Sequence, residues 1–139
     1  MEKKIKHLEM IEAVIERMAN NSFQLKGWTV TLVALIGALA SQGSDKRFFL
    51  LGIIPLLAFW NMDSLYLQLE RKYRILYKNV STKDETSIDF NMDISNIEYT
   101  EEDAGRIRFV KCLFSRTECL FYLAILFAIV VLAIILKIV

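Results

Sequence analysis

Residues that carry catalytic or metal-binding chemistry are scarce in this sequence of 139 residues. Its single histidine, His7, falls at an exposed position of a predicted helix, and no His/Cys cluster has the spacing of a metal site. The sequence also lacks a glycine-rich phosphate loop, a Ser–His–Asp set and an HExxH zinc motif. Asp89 and Asp93 do not have the spacing of a calcium-binding EF-hand loop. We therefore expect no enzymatic activity, no cofactor and no bound metal.

Cysteine is limited to Cys112 and Cys119, which lie seven residues apart near the start of an apolar block. Their expected cytoplasmic position favours reduced thiols, and we interpret them as small packing residues. A redox or metal site is the less favoured alternative, because no histidine lies near them in the sequence.

Charge is absent from three apolar blocks, although charged residues make up 24% of the sequence. The last block, Cys119 to Leu136, has 18 consecutive residues without charge, glycine or proline. A helix of about 20 residues, rising about 1.5 Å per residue, crosses the ~30 Å hydrocarbon core of a bilayer. The sequence therefore predicts an all-α membrane protein with three transmembrane helices at 28–41, 48–62 and 118–137. The first two would form a hairpin over residues 28–62.

Basic residues are nearly missing from one end of these blocks. Of the 17 Lys and Arg residues, all but Lys46, Arg47 and Lys137 flank the ends expected to be inner. The positive-inside rule places the N-terminus and residues 71–116 in the cytoplasm and the C-terminus outside. No cleavable signal peptide is expected, because about two dozen residues rich in Glu and Lys precede the first block. We expect no nucleic-acid partner.

The charged segments are expected to extend the spans into a cytoplasmic helical stalk. Residues 1–27 form a predicted amphipathic helix continuous with the first span. Its apolar positions recur every three or four residues, at Ile5, Leu8, Ile11, Ile15, Met18 and Leu25. Residues 63–80 extend the second span, and residues 105–139 form a basic helix that continues into the third.

Two details of the helices can be predicted from single residues. Pro55 lies inside the second predicted helix, from about 45 to 79, and is expected to kink it. Thr100, followed by three acidic residues, is a predicted N-cap for a third helix from about 101 to 138. Residues 81–104 form an acidic cytoplasmic loop whose apolar side chains are expected to pack on the helices: Ile88, Phe90, Met92 and Ile94.

Residues at equal distances from a turn centred near Ser44, one on each hairpin helix, are expected to lie at the same depth in the membrane. Trp28 and Trp60 fall at the same depth and are predicted interface anchors. Lys26 and Asp63 are matched in the same way, slightly further from the turn. An unpaired charge there is costly, so we predict an interhelical polar clamp of Lys26, Asp63 and Asn61. A structural clamp is favoured over a polar gate or an ion-coordinating ring.

Other charged residues receive simpler interpretations. Arg17 and Glu70 are a second possible pair, and Glu118 is interpreted as a lone interfacial carboxylate. A basic collar could hold anionic lipid head groups, although the positive-inside signal alone also explains it. The collar consists of Arg71, Lys72, Arg74, Arg106, Arg108 and Lys111.

Several strings resemble one family of small bacterial inner-membrane proteins, the RipA-type octameric membrane protein family. They are Asn21-Ser22-Phe23-x-Leu25-Lys26-Gly27-Trp28, Phe59-Trp60-x-Met62-Asp63-x-x-Tyr66 and Phe114-Ser115-x-Thr117. The resemblance covers nearly the whole chain. It implies a homo-octamer in the bacterial cytoplasmic membrane and no established biochemical activity.

Two functions from different classes fit these features. The first is a homo-oligomeric membrane assembly, acting as a scaffold or a channel-like ring. If a pore exists, polar residues of the hairpin would line it: Thr29, Thr31, Asn61, Asp63 and Ser64. The alternative is a stress- or ligand-responsive effector that permeabilises the membrane when its cytoplasmic part binds a partner.

Overall fold

The computed structural model describes residues 2–42 and 46–135, and this part of the chain is helical, with no β-strand. The α-helices are α1 (Glu2–Ser41), α2 (Ile53–Thr82), α3 (Glu101–Arg106), α4 (Phe109–Leu113) and α5 (Arg116–Ile135). Two 3-10 helices, Lys46–Gly52 and Glu85–Ser87, follow α1 and α2. The predicted all-α class is confirmed. The predicted hairpin centre at Ser44 and the end of the third predicted span lie outside the described residues.

Three helical segments are long and apolar enough to cross a membrane, namely α1, Leu50–Thr82 and α5. The α1 helix is a continuous helix of 40 residues, as predicted for residues 2–41. No proline interrupts it. Part of its apolar stripe faces inward, since Ile11 is fully buried with Leu8 and Ile15 packed beside it, whereas Ile5 is 49% exposed.

The second predicted helix differs at its beginning. Its N-terminal part, Lys46–Gly52, is a 3-10 helix, and the α-helix begins at Ile53. Pro55 therefore lies in the first turn of α2. This position is closer to the start of the α-helix than the prediction places it, and an α-helix tolerates proline best in its first turn. The expected kink itself stays a prediction.

The third predicted helix is divided into α3, α4 and α5. Its start is as predicted: the Thr100 side chain accepts from Asp103 N, and the Asp103 carboxylate accepts from Thr100 N, which is a capping box. The helix ends after Arg106, where α2 side chains supply donors to the free carbonyls. Arg71 Nη1 donates to Arg106 O at 2.7 Å, and Gln68 Nε2 donates to Ile107 O at 2.8 Å.

The second interruption has a similar cause. The indole Nε1 of Trp60 donates to Leu113 O at 3.0 Å, at the last residue of α4. Ser115 precedes α5, and its Oγ accepts from Glu118 N at 3.4 Å, an arrangement typical of a helix N-cap. The prediction of one basic helix over 105–139 is therefore corrected. Contacts with α2 divide it.

The chain forms two compact units. Unit 1 contains the residues up to Ser22 and Leu65–Cys112, and unit 2 contains Phe23–Ser64 and the residues from Leu113 onward. In unit 1 the buried residues Ile11, Leu76 and Val80 form a core. The predicted packing of the acidic loop is confirmed for three apolar residues that lie against this core, Ile88, Met92 and Ile94.

Two residues of unit 1 depart from expectation. His7, predicted to be exposed, is 1% exposed, and its Nε2 donates to Asn91 O at 3.1 Å. Phe90 has a positive φ of 54° and is 37% exposed, so it does not join the loop's buried apolar residues. Its ring instead lies 5.5 Å from the His7 imidazole. The loop thus covers His7, a contact that the helical pattern of α1 alone does not reveal.

The core of unit 2 is built on one stripe of α5. Tyr122, Ile129 and Ala133 are buried with Ala40 of α1 and Leu56 of α2. The opposite face of α5 is uncovered by the chain: Leu120 is 75% and Phe127 is 70% exposed. An apolar helix with such a face suits contact with lipid, as expected for the third span.

Candidate functional site

Unit 2 contains a buried cluster of ionisable residues contributed by all three membrane-length helices. Lys26 of α1 forms an ion pair with Asp63 of α2, and its Nζ also donates to Glu118 Oε1 of α5 at 3.0 Å. Asp63 is fully buried and Glu118 is 2% exposed. The structure thus brings Lys26 and Asp63 together as the matching depths indicate. It adds Glu118, which is not the lone interfacial carboxylate of the prediction.

Tyr122 completes the cluster one turn after Glu118. It is fully buried, and its hydroxyl donates to Asp63 Oδ2 at 2.9 Å. The Trp60 indole stacks on the Tyr122 ring at 5.7 Å with an interplanar angle of 8°. Because the same indole is hydrogen-bonded to Leu113 O, the phenol is held between α2 and the start of α5. The rings of Tyr122 and Phe121 both lie 5.9 Å from Lys26 Nζ, where they favour its positive charge.

Two buried hydroxyl groups lie near the cluster and donate to carbonyl groups of their own helices. Thr29 Oγ1 donates to Leu25 O at 2.8 Å, and Ser64 Oγ donates to Trp60 O at 2.7 Å. Each of these bonds returns to the preceding turn of its own helix. Both residues fill buried positions without donating to the two carboxylates.

The charges of the cluster do not balance if every group is ionised. Two carboxylates face one ammonium, and one oxygen of each carboxylate, Asp63 Oδ1 and Glu118 Oε2, is buried without a hydrogen-bond partner among the described residues. Burying a charged oxygen without a donor is unfavourable, and ionisable groups within membrane spans usually mark function. This cluster is the candidate functional site.

The other predicted clamp and anchor residues lie in different surroundings. Asn61 is exposed, and its amide donates to Leu57 O at 2.8 Å on its own helix, so its assignment to the clamp is corrected. Helical rotation explains the difference, since Asn61 lies two residues from Asp63 and therefore on another face. Trp28 is 60% exposed, whereas Trp60 packs inside unit 2.

The basic collar is partly drawn together in unit 1. Arg71, Arg74 and Arg106 line one groove of about 400 Å³ together with Lys78 and Asp103. The lining of this groove does not include Lys72, Arg108 or Lys111. Arg74 also pairs with Glu70 at 2.8 Å, so Glu70 has a partner on its own helix rather than the suggested Arg17.

The acidic loop uses its side chains to shape its own backbone. Asp89 accepts from Asn91 N at 3.1 Å, and Asp93 accepts from Ser95 N at 2.8 Å. The bond from Asn91 N lowers the pKa of Asp89, and the pKa of Asp93 is lowered first by the Ser95 hydroxyl, which donates to it at 2.7 Å, and then by Ser95 N. The described residues contain no group of three or more His, Cys, Asp or Glu side chains that could hold a metal ion.

Sequence reasoning missed Glu118 and Tyr122 as members of the site. A usable signal was present, because the four-residue spacing places both on one face of an apolar helix. Counting residues from the hairpin turn compares only the two helices of that hairpin, so it could not include α5. Comparisons with family models, with curated proteins and with solved structures found no match to this chain.

Proposed function

We propose that this chain is an integral protein of the bacterial inner membrane that assembles with copies of itself, as a scaffold or a channel-like ring. The observation that carries the proposal is the apolar surface that the chain leaves uncovered. Only 11% of the most apolar window of α1 is buried within the chain, against 22% for α5. Lipid and neighbouring copies are the two surfaces that can cover it.

The proposed orientation puts the N-terminus and unit 1 in the cytoplasm, as a helical stalk. The support is the charge pattern, since nearly all Lys and Arg residues flank one end of the spans. Eight copies is the number that the resemblance to the RipA-type family implies. Several large hydrophobic residues of unit 1 are exposed, among them Ile5 at 49%, Met10 at 41% and Val110 at 63%, and they supply apolar area for contacts between copies.

The assembly is tested by native mass spectrometry of protein extracted directly into nanodiscs. We expect a protein mass near eight times 16.1 kDa, and a mass of one chain contradicts the proposal. Ion flux from liposomes then separates the functions. Constitutive flux supports a channel, and silence supports a scaffold. Flux that appears only when cytosolic extract is added supports the alternative, a stress- or ligand-responsive effector.

Anionic lipids are the proposed partners of the basic collar. Arg71, Arg74, Lys78 and Arg106 give the groove of unit 1 an excess of positive charge over Asp103. Head groups near a basic cytoplasmic surface gain roughly 1 kcal/mol for each such residue. Retention of phosphatidylglycerol in the nanodisc measurement should fall in an Arg74→Gln, Arg106→Gln double variant. An Arg17→Gln variant is the control, and equal retention in both contradicts this role.

A further inference from the structure

The charged cluster of unit 2 poses a problem of charge. Lys26 Nζ is the hydrogen-bond donor shared by Asp63 and Glu118, and both acids are at least 98% buried. If both acids were ionised, one negative charge would remain unbalanced among helices that are apolar enough to cross a membrane. Such a charge is strongly disfavoured in a bilayer.

The two acids differ in the hydrogen bonds that they accept. Asp63 Oδ2 accepts from both Lys26 and Tyr122, and donors to a carboxylate favour its charged form. Glu118 accepts at 3.0 Å from Lys26 alone among the described side chains. The titratable groups facing Glu118 are therefore Lys26 from α1, Asp63 from α2 and Tyr122 from its own helix.

The two oxygens without partners supply the second part of the argument. Asp63 Oδ1 and Glu118 Oε2 are both buried and lack a donor among the described residues. Because one Lys26 Nζ is bonded to an oxygen of each acid, the two carboxyl groups lie beside each other. If Glu118 is protonated and its O–H donates a hydrogen bond to Asp63, the surplus negative charge is removed and the missing hydrogen bond is made.

We propose that this cluster is a proton-binding site, in which Glu118 carries one exchangeable proton and ionised Asp63 accepts its hydrogen bond. Lys26 is the counter-ion of Asp63, and Tyr122 holds that carboxylate in place. The Lys26 side chain is 21% exposed, so protons can reach the cluster from the surface of unit 2. A metal cation fits the site less well, because the ammonium already occupies the position between the two acids. The site belongs to one chain and is independent of the number of copies.

Infrared difference spectroscopy of the full chain in nanodiscs tests the proposal directly. A protonated carboxylic acid has a C=O stretching band that an ionised carboxylate lacks. We expect one such buried band that shifts in D₂O and disappears as the pH is raised. The Glu118→Gln variant, whose amide replaces the protonated acid at similar size, should lose this band. The Glu102→Gln variant, altered at an acid that is 77% exposed, is the matched control and should keep it.

A second measurement covers the case in which a variant folds poorly. An unfolded glutamate releases its proton at a pH of about 4.3. If the folded chain still holds this proton at higher pH, stability falls as pH rises above that value, until the folded chain releases the proton too. The Glu118→Gln variant should lose this pH dependence while the Glu102→Gln variant retains it. A wild-type spectrum without a buried acid band at any pH overturns the proposal. So does a titrating band that persists unchanged in the Glu118→Gln variant.

Discussion

Lys26 links the two buried acids in the interior of unit 2. Its ammonium is the cation that touches both buried acids, and the aromatic rings of Tyr122 and Phe121 line the same space. A buried ion pair gives little net stability compared with an apolar replacement of the whole pair, but removing one partner leaves a buried charge without compensation. The consequence of losing Lys26 is therefore much larger than the worth of the bond itself.

The first prediction concerns the substitution Lys26→Met, which keeps the length of the side chain and removes its charge. We expect the free energy of unfolding to fall by about 3–5 kcal/mol, because Asp63 loses its counter-ion. Unfolding in mixed detergent micelles, followed by circular dichroism, measures the change. Lys6→Met, at an exposed position of the same helix, is the control and should change the value by less than about 0.5 kcal/mol. Equal effects of the two substitutions would show that the ion pair carries no stability.

For the helices, local sequence predicts an end correctly where that end is set by residues next to it in the sequence. The apolar positions that recur every three or four residues in α1, together with its lack of proline, are sufficient to predict a 40-residue helix. The start of α3 follows from Thr100 and the acids after it, because a capping box needs only four consecutive residues. The interruptions before α4 and α5 are different, since Arg71 and Trp60 reach those carbonyls from far away in the sequence.

The site likewise contains residues that the sequence could place and residues that it could not. The Lys26–Asp63 pair could be predicted because both residues flank one hairpin, so counting residues from its turn fixes their relative depth. Glu118 and Tyr122 could not, because their positions depend on where α5 begins. Ser115 and the Trp60–Leu113 hydrogen bond set that point. Asn61 was assigned wrongly because depth alone carries no information on the rotation of a helix.

The second prediction concerns the capping box at the start of α3. The substitution Thr100→Ala removes the acceptor for Asp103 N, and caps of this kind contribute about 0.5–2 kcal/mol. We expect faster hydrogen exchange in peptides covering residues 100–107, by roughly 5-fold for 1 kcal/mol. Thr82→Ala, at the end of α2, is the control and should leave this exchange unchanged. Unaltered exchange in the Thr100→Ala variant would contradict the role of the cap.

The same cap has a pH dependence with a defined sign. The hydrogen bond from the Thr100 hydroxyl lowers the pKa of Asp103 below its ordinary value. A lowered pKa in the folded state means that the support is present above the unfolded-state pKa and is lost as pH falls through the folded-state value. Protection of α3 should therefore decrease on acidification in the wild type. The decrease should be smaller in an Asp103→Asn variant, which has no carboxyl group to titrate there.

For the molecule as a whole, the exposed apolar residues of the two units need different explanations. In unit 2, the exposed residues of α5 belong to a helix that a bilayer can cover. In unit 1, the core is made by α1, α2 and the acidic loop, and the surrounding surface is rich in charge. Exposed Ile5 and Met10 in that setting gain nothing from lipid if unit 1 lies outside the bilayer.

The third prediction follows from that contrast. If copies of the chain contact one another through this surface of unit 1, an Ile5→Lys, Met10→Lys double variant should form smaller assemblies. Membrane insertion should be unchanged, because the three apolar segments are intact. Native mass spectrometry in nanodiscs gives the number of copies, and extraction with alkaline carbonate reports insertion. Glu9→Lys, which adds positive charge between the two positions without removing apolar surface, is the control. An unchanged assembly mass in the double variant would place the contacts between copies elsewhere, either on other exposed hydrophobic residues of unit 1, such as Val110 at 63% exposed, or on the membrane-length helices.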